Sequence, residues 1–137
     1  MRRLKRLFQW AAPIVVAAVF LSGCGFGGPS REEQLKATLD DAATSVPGVV
    51  SSTATAKVNT SGNFLGAVVV ADTQDPAELK EILRTVITAM LERTADLESG
   101  TLSVSVFSPD KTQSVSVDDL GYTGLENLRP LREYFAS

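Results

Sequence analysis

The chain has 137 residues, the length of one folded domain, and 44% of its residues are hydrophobic against 21% charged. The four charges in the first 23 residues are all cationic, which leaves 9 Lys and Arg against 16 Asp and Glu, a formal charge of −7, from residue 24 onward. Nucleic acid would repel so acidic a domain, and the absence of histidine removes the commonest general base and transition-metal ligand.

The first 23 residues have the order of a secretory signal peptide. A cationic start, Met1–Arg6, precedes the apolar run Leu7–Leu21, and two small residues follow. The uncharged run contains Pro13 and is shorter than the roughly 20 residues that a spanning helix needs, which argues against a permanent membrane span. We therefore expect residues 1–23 to be removed.

The stretch Leu21-Ser22-Gly23-Cys24 holds the only cysteine of the chain. These four residues resemble the lipobox of bacterial lipoproteins at every position. The resemblance implies cleavage between Gly23 and Cys24 and attachment of a diacylglycerol, with acyl chains such as palmitate, to the Cys24 thiol. Two or three acyl chains bury far more methylene groups than a single myristoyl chain, so the implied anchor is stable. The implied location is the bacterial cell envelope, on the outer side of the cytoplasmic membrane or at the outer membrane of a two-membrane host.

Residues 24–30 follow as a glycine-rich linker, Gly25-Phe26-Gly27-Gly28-Pro29 after the cysteine, and this composition predicts a flexible segment. When it is fully extended it reaches about 20 Å. The linker would therefore hold the following domain, residues 31–137, close to the membrane surface.

A helix and two strands are predicted next. Ser30 and Glu33 form a capping box, and Pro47-Gly48 ends the helix. Its apolar positions have helical spacing: Leu35, Leu39, Ala42, Ala43 and Val46. From Val49 the period changes to two, with Val50, Ala54, Ala56 and Val58 predicted to point inward and Ser51, Thr53, Thr55 and Lys57 outward. A turn over residues 59–63 joins this strand to Phe64–Ala71, whose valine-rich sequence lacks clean alternation and is typical of a central strand.

The second helix has the clearest signals. Asp75 is a capping residue, Pro76 fits the first helical position, and a wide apolar stripe runs from Leu79 to Leu91. Glu98-Ser99-Gly100 is predicted to end this helix. A third strand with Leu102, Val104 and Val106 inward, a type I turn at Ser108-Pro109-Asp110-Lys111 and a returning strand over Thr112–Val117 follow.

The last segment predicts a short or broken helix. Leu125, Leu128, Leu131 and Phe135 have helical spacing, but Pro130 removes a backbone donor among them. The predicted fold is therefore α+β, a two-layer α/β sandwich of αββαββ order. Two helices cover one face of a four-stranded, mainly antiparallel sheet, and a short C-terminal helix is added.

The sequence predicts no catalytic, metal or cofactor site. Serine is frequent, but no base that could activate it is visible. The acidic pairs Glu32-Glu33 and Asp40-Asp41 lie in a predicted helix, where adjacent side chains point about 100° apart. Asp118-Asp119 follows a strand and is interpreted as a cap or turn. We therefore do not expect an enzyme.

One surface remains as a candidate site. If both helices cover one face of the sheet, the other face is open and rich in hydroxyl groups. Its predicted members are Ser51, Thr53, Thr55, Lys57, Ser103, Ser105, Thr112, Ser114 and Ser116. This face predicts a binding or assembly module with a protein or cell-wall partner, or else a solvated surface without a partner. The alternative function is a carrier of a small apolar ligand between helices and sheet, where the small residues Ala54 and Ala56 would leave room.

Overall fold

The structure, a computed structural model, describes residues 30–136. The predicted signal peptide 1–23, the cleavage between Gly23 and Cys24, the lipidation of Cys24 and the linker as far as residue 29 lie outside this range. Among the described residues, none of the helices has the length and apolar character that crossing a membrane requires.

The elements follow the predicted order, α-β-β-α-β-β with a short C-terminal helix. The helices are α1 (Arg31–Thr44), α2 (Pro76–Arg93) and α3 (Leu128–Ala136). The strands are β1 (Val49–Asn59), β2 (Gly62–Ala71), β3 (Thr101–Phe107) and β4 (Ser114–Val115), and a 3-10 turn covers Val117–Leu120.

The four strands form one sheet in the order β1-β2-β3-β4. β1 and β2 form an antiparallel hairpin, β2 and β3 are parallel, and β3 and β4 are antiparallel. The parallel pair is possible because α2 carries the chain back across the sheet between β2 and β3. The start of β3 has a further partner, since Thr101 forms an antiparallel bridge with Asn127 just before α3.

The helices cover one face of this sheet, which confirms the predicted two-layer fold. The strand positions that face them are buried: Ala54, Ala56, Leu65, Ala67, Val69, Ala71, Leu102, Val104, Val106 and Val115. α1 runs antiparallel to β1. Near the start of α1, Glu32 accepts from the Val58 N–H at the end of β1 at 2.9 Å. Further along α1, Asp40 accepts from the Ser52 hydroxyl near the start of β1 at 2.7 Å. The core therefore lies between this helix layer and the sheet.

α2 begins as the sequence predicts. The Asp75 carboxylate accepts a hydrogen bond from the Ala77 N–H at 3.0 Å, and Pro76 is the first residue of the helix. The helix ends at Arg93, however, several residues before the predicted stop at Glu98. Thr94 is the residue at which the helix ends: it is buried, and its N–H and its hydroxyl both donate to the Met90 carbonyl, at 3.0 and 2.8 Å.

Two predictions about strands are wrong in detail. Val50 was expected to point inward but is 63% exposed, because a register shift between Val49 and Ser51 breaks the alternation there. The returning strand is much shorter than Thr112–Val117, since β4 has two residues. Val117 is still buried as predicted, but it lies in the 3-10 turn.

Other differences concern the ends of helices. Val46 is buried as expected although α1 ends before it, at Thr44. Leu125 is 73% exposed and lies outside α3, so its predicted place on that helix is wrong. Pro130 lies in the first turn of α3, where no backbone donor is needed, and it therefore does not break the helix.

Candidate functional site

The sheet face opposite the helices is the candidate site, and we call it the open face. Strand register arranges its outward positions in four rows that cross the sheet. The rows are Ser51-Val70-Phe107-Ser114, Thr53-Val68-Ser105, Thr55-Gly66-Ser103 and Lys57-Phe64-Thr101. Side chains in one row lie side by side on the same surface.

The structure brings together most of the residues that were predicted for this surface. Ser51, Thr53, Thr55, Lys57, Ser103 and Ser114 are exposed on the open face, and Ser105 is half-buried there. Thr112 and Ser116 do not belong to it. Thr112 lies in the loop before β4 and donates its hydroxyl to Asp110 at 2.8 Å, and Ser116 begins the 3-10 turn, where its N–H donates to Asp119 at 2.9 Å.

The sequence prediction missed the apolar centre of the open face. Phe64 and Val68 on β2 are 45% and 48% exposed. Val70 and Phe107 lie half-buried in the row next to that of Val68. β2 is apolar on both faces, a pattern that is normal for a strand covered on both sides. Within residues 30–136, elements cover only one side of β2. The signal was present, because placing both helices on one face leaves the second apolar face of β2 without a cover.

A glycine shapes the middle of this surface. Gly66 lies between Phe64 and Val68 and lines a shallow depression of about 540 Å³. A Cβ atom at this position would lie 3.1 Å from the Thr55 hydroxyl oxygen and 3.3 Å from the Ser103 carbonyl oxygen. A side chain at position 66 would therefore crowd Thr55 and Ser103.

The open face carries little charge. Lys57 is the only ionisable side chain in its four rows, although the part of the chain from residue 24 onward is strongly acidic. A surface of hydroxyl and apolar groups with one cation cannot attract a strongly charged partner. It can bury apolar area and offer hydroxyl groups for hydrogen bonds.

The acidic pairs have structural contacts. Glu32 accepts from the Val58 N–H, Asp40 accepts from Ser52, and Asp119 accepts from Ser116. No group of three or more potential metal ligands occurs within residues 30–136.

Within residues 30–136, two ionisable groups have clearly shifted pKa values, and each has a local cause. The pKa of the Asp110 carboxyl lies well below its usual value because the Thr112 hydroxyl and N–H, and then the Gln74 and Ser108 side chains, donate to its ionised form. Burial raises the pKa of Tyr122, helped by the negative charges of Glu126 and Glu133. Asp110 organises the loop between β3 and β4, and neither group lies in the rows of the open face.

The carrier alternative requires space next to Ala54 and Ala56. Both residues are buried, with 6% of their surface exposed, and they belong to the core that α1 covers. Five depressions among the described residues are open at the surface, and neither alanine lines any of them. No specific observation therefore favours the carrier.

The fold and this surface define a two-layer α+β domain with one uncovered sheet face. Two solved structures with a similar fold are substituted variants of the MamM CTD. The doubly substituted variant has a TM-score of 0.50 and 21% identity over 61% of this chain and 89% of its own. A singly substituted variant has a TM-score of 0.48 and 21% identity over 59% of this chain and 80% of its own. At this identity the first likeness concerns the fold alone, and the second supports no argument.

No family model and no curated protein matches the sequence.

Proposed function

We propose that the chain is a lipid-anchored protein of the bacterial cell envelope whose domain binds another protein through the open face. The observation that supports the binding role is the pair Phe64 and Val68, which lie nearly half exposed on β2, an inner strand of the sheet, on the face opposite the helices. Apolar residues grouped on a surface mark interaction sites more often than scattered ones do. The proposed role is binding, without catalysis.

The chemistry of the open face defines the partner. Phe64 and Val68 flank the depression at Gly66 and would take up an apolar side chain of the partner. The hydroxyl groups of Thr53 and Thr55 on one side and of Ser103 on the other would form hydrogen bonds at the rim. We therefore propose a protein partner with a weakly charged surface and at least one protruding apolar residue.

The anchor is supported by sequence alone. The lipobox resemblance of Leu21-Ser22-Gly23-Cys24 and the cationic and apolar segments before it agree in their order. A linker that reaches about 20 Å would keep the domain close to the membrane, where we also expect the partner.

Photocrosslinking in intact cells tests the binding role. A photoreactive amino acid replaces Val68 in one variant and Thr85, an exposed residue on α2, in the matched control. We expect an adduct of defined mass from position 68 and none of that mass from position 85. The substitution Phe64→Lys in the first variant should remove the adduct. The same adduct from both positions, or an adduct that persists with Phe64→Lys, would contradict the proposal.

Cell fractionation tests the anchor separately. Cys24→Ala should leave either an uncleaved precursor or a protein released from the membrane, whereas the control Phe26→Ala should keep the mature size and the membrane location. If Cys24→Ala remains membrane-bound at the native mature length, the lipoprotein assignment is wrong. Labelling with a palmitate analogue adds a direct measurement of acylation.

A further inference from the structure

β1 lies at the edge of the sheet, and its backbone pairs with β2 alone within residues 30–136. Two observations identify the backbone groups that point away from β2. Asn59 and Gly62 close a two-residue turn, so every second residue back from Asn59 is hydrogen-bonded to β2. In agreement with this alternation, the Val58 N–H is directed away from β2 and donates to the Glu32 carboxylate. The remaining outward groups are the N–H and C=O of Ser52, Ala54 and Ala56.

The outward backbone groups of β1 that have no partner within residues 30–136 extend equally far on both sides of Ala54. Four residues after Ala54, the Val58 N–H is already occupied by Glu32. Four residues before Ala54, Val50 lies in the register shift that interrupts the regular strand. A regular, unpaired ladder therefore covers Ser52–Ala56 and is symmetric about Ala54.

We propose that two copies of this chain pair through β1, antiparallel and about a twofold axis at Ala54. In this register Ala54 faces Ala54 of the second copy, and Ser52 faces Ala56 in both directions. Each facing pair exchanges two backbone hydrogen bonds, so the outward N–H groups of Ser52, Ala54 and Ala56 all find acceptors on the second copy. An antiparallel self-pairing is the arrangement that a twofold axis permits.

The side chains agree with this register. On the open face, Thr53 faces Thr55 of the second copy, a pairing that allows hydrogen bonds between hydroxyl groups. Lys57 faces Ser51, so the two lysines do not oppose each other. On the helix side the facing residues are Ser52, Ala54 and Ala56, and all three are small. Ala54 and Ala56 are buried under α1.

Glu32 and the register shift protect the two ends of this edge, but the stretch Ser52–Ala56 between them has neither proline nor a charged side chain. Protective edge strands are short, contain proline or carry several charges. β1 has 11 residues with no proline, and Lys57 is its only charged residue. The paired copies would form one eight-stranded sheet with a continuous open face of twice the width. This inference does not depend on the lipid anchor or on the partner proposed above.

Disulfide crosslinking of the full chain in intact cells tests the register. Thr53→Cys and Thr55→Cys in one chain place thiols opposite each other across the proposed interface, within the distance that a disulfide spans. We expect a two-chain product from this double variant after mild oxidation and none from either single variant. The wild-type chain controls for Cys24, and Ser103→Cys with Ser105→Cys on β3 controls for chance collisions. Crosslinking of a single variant to the same extent, or no crosslinking of the double variant, would overturn the proposal.

Charge exchange tests the same contact without a covalent bond. Thr53→Glu with Thr55→Glu places two pairs of like charges across the interface, and Thr53→Lys with Thr55→Lys does the same with the opposite sign. Each variant alone should weaken self-association by about tenfold or more, measured by sedimentation of the full chain in detergent micelles. A mixture of the two should restore it, which also shows that both variants are folded. If the mixture associates no better than either variant, the pairing through β1 is excluded.

Discussion

Replacing Val69 with alanine is expected to cost far more stability than the same replacement at its neighbour Val68. The two residues are adjacent on β2 and differ in the face on which they lie. Val69 is 0% exposed beneath the helices, whereas Val68 is 48% exposed on the open face. The comparison keeps the residue type and the strand constant, so it isolates the effect of burial beneath the helices.

The expected magnitudes follow from burial. Val→Ala removes two methyl-sized groups, which at about 0.8 kcal/mol each gives about 1.6 kcal/mol for a fully buried side chain. A cavity left in the core raises the cost for Val69→Ala to about 2–2.5 kcal/mol. At Val68 about half of the area is already in contact with water and no cavity forms, so the expected cost is below about 1 kcal/mol.

Urea unfolding of the fragment 30–137, followed by far-ultraviolet circular dichroism, measures both values. The slope of free energy against urea should stay the same in both variants, because neither changes the area exposed on unfolding by much. Equal losses at the two positions would refute the reasoning, since they would mean that the open face is covered in the folded protein.

Three further predictions concern loops and caps. Asp110→Asn should lower stability at pH 7. The folded pKa of this carboxyl lies below its ordinary value of 3.8, so the stabilisation is fully present above that value and is lost as the pH falls from there towards the folded pKa. Thermal melts at pH 7 and pH 2.5 should show the difference between variant and wild type shrinking. Gly100→Ala should destabilise more than Gly62→Ala, because both have positive φ but only the Cβ at 100 would collide with the Asn63 carbonyl oxygen, at 2.7 Å; equal melting temperatures would argue against the collision. Asp75→Ala should cost about 0.5–2 kcal/mol through loss of the α2 cap, whereas Asp75→Asn should cost much less in the same urea assay.

The order of the elements and the two-layer fold could be predicted because their signals are local. Asp75 and Pro76 mark the start of α2 by their own chemistry, and the period of two over Ala54 and Ala56 depends only on neighbouring residues. Where the sequence prediction of an element's end was wrong, contacts between residues far apart in the sequence determine the structure. α2 ends at Thr94, whose carbonyl accepts a hydrogen bond from Arg132 of α3, and nothing in the sequence next to Thr94 indicates this contact.

The candidate site was predicted only in part, for a similar reason. The hydroxyl positions of β1 and β3 follow from alternation within each strand. Phe64 and Val68 are found only when the apolar character of both faces of β2 is combined with the placement of both helices on one face of the sheet, and alternation within a single strand does not show this. Thr112 was misplaced because Asp110 holds it in the loop, where the local pattern resembles a strand.

The parallel pairing of β2 with β3 has a consequence for the order of folding. α1, β1 and β2 are contiguous, and a two-residue turn joins the two strands, so they can assemble early. β3 can join only after α2 has formed and crossed the sheet. Until then β2 has an unpaired edge and apolar side chains on both faces, a combination that favours association between incomplete chains. Substitutions that slow the formation of α2 should therefore reduce the yield of folded protein more than substitutions in β4 of equal effect on final stability.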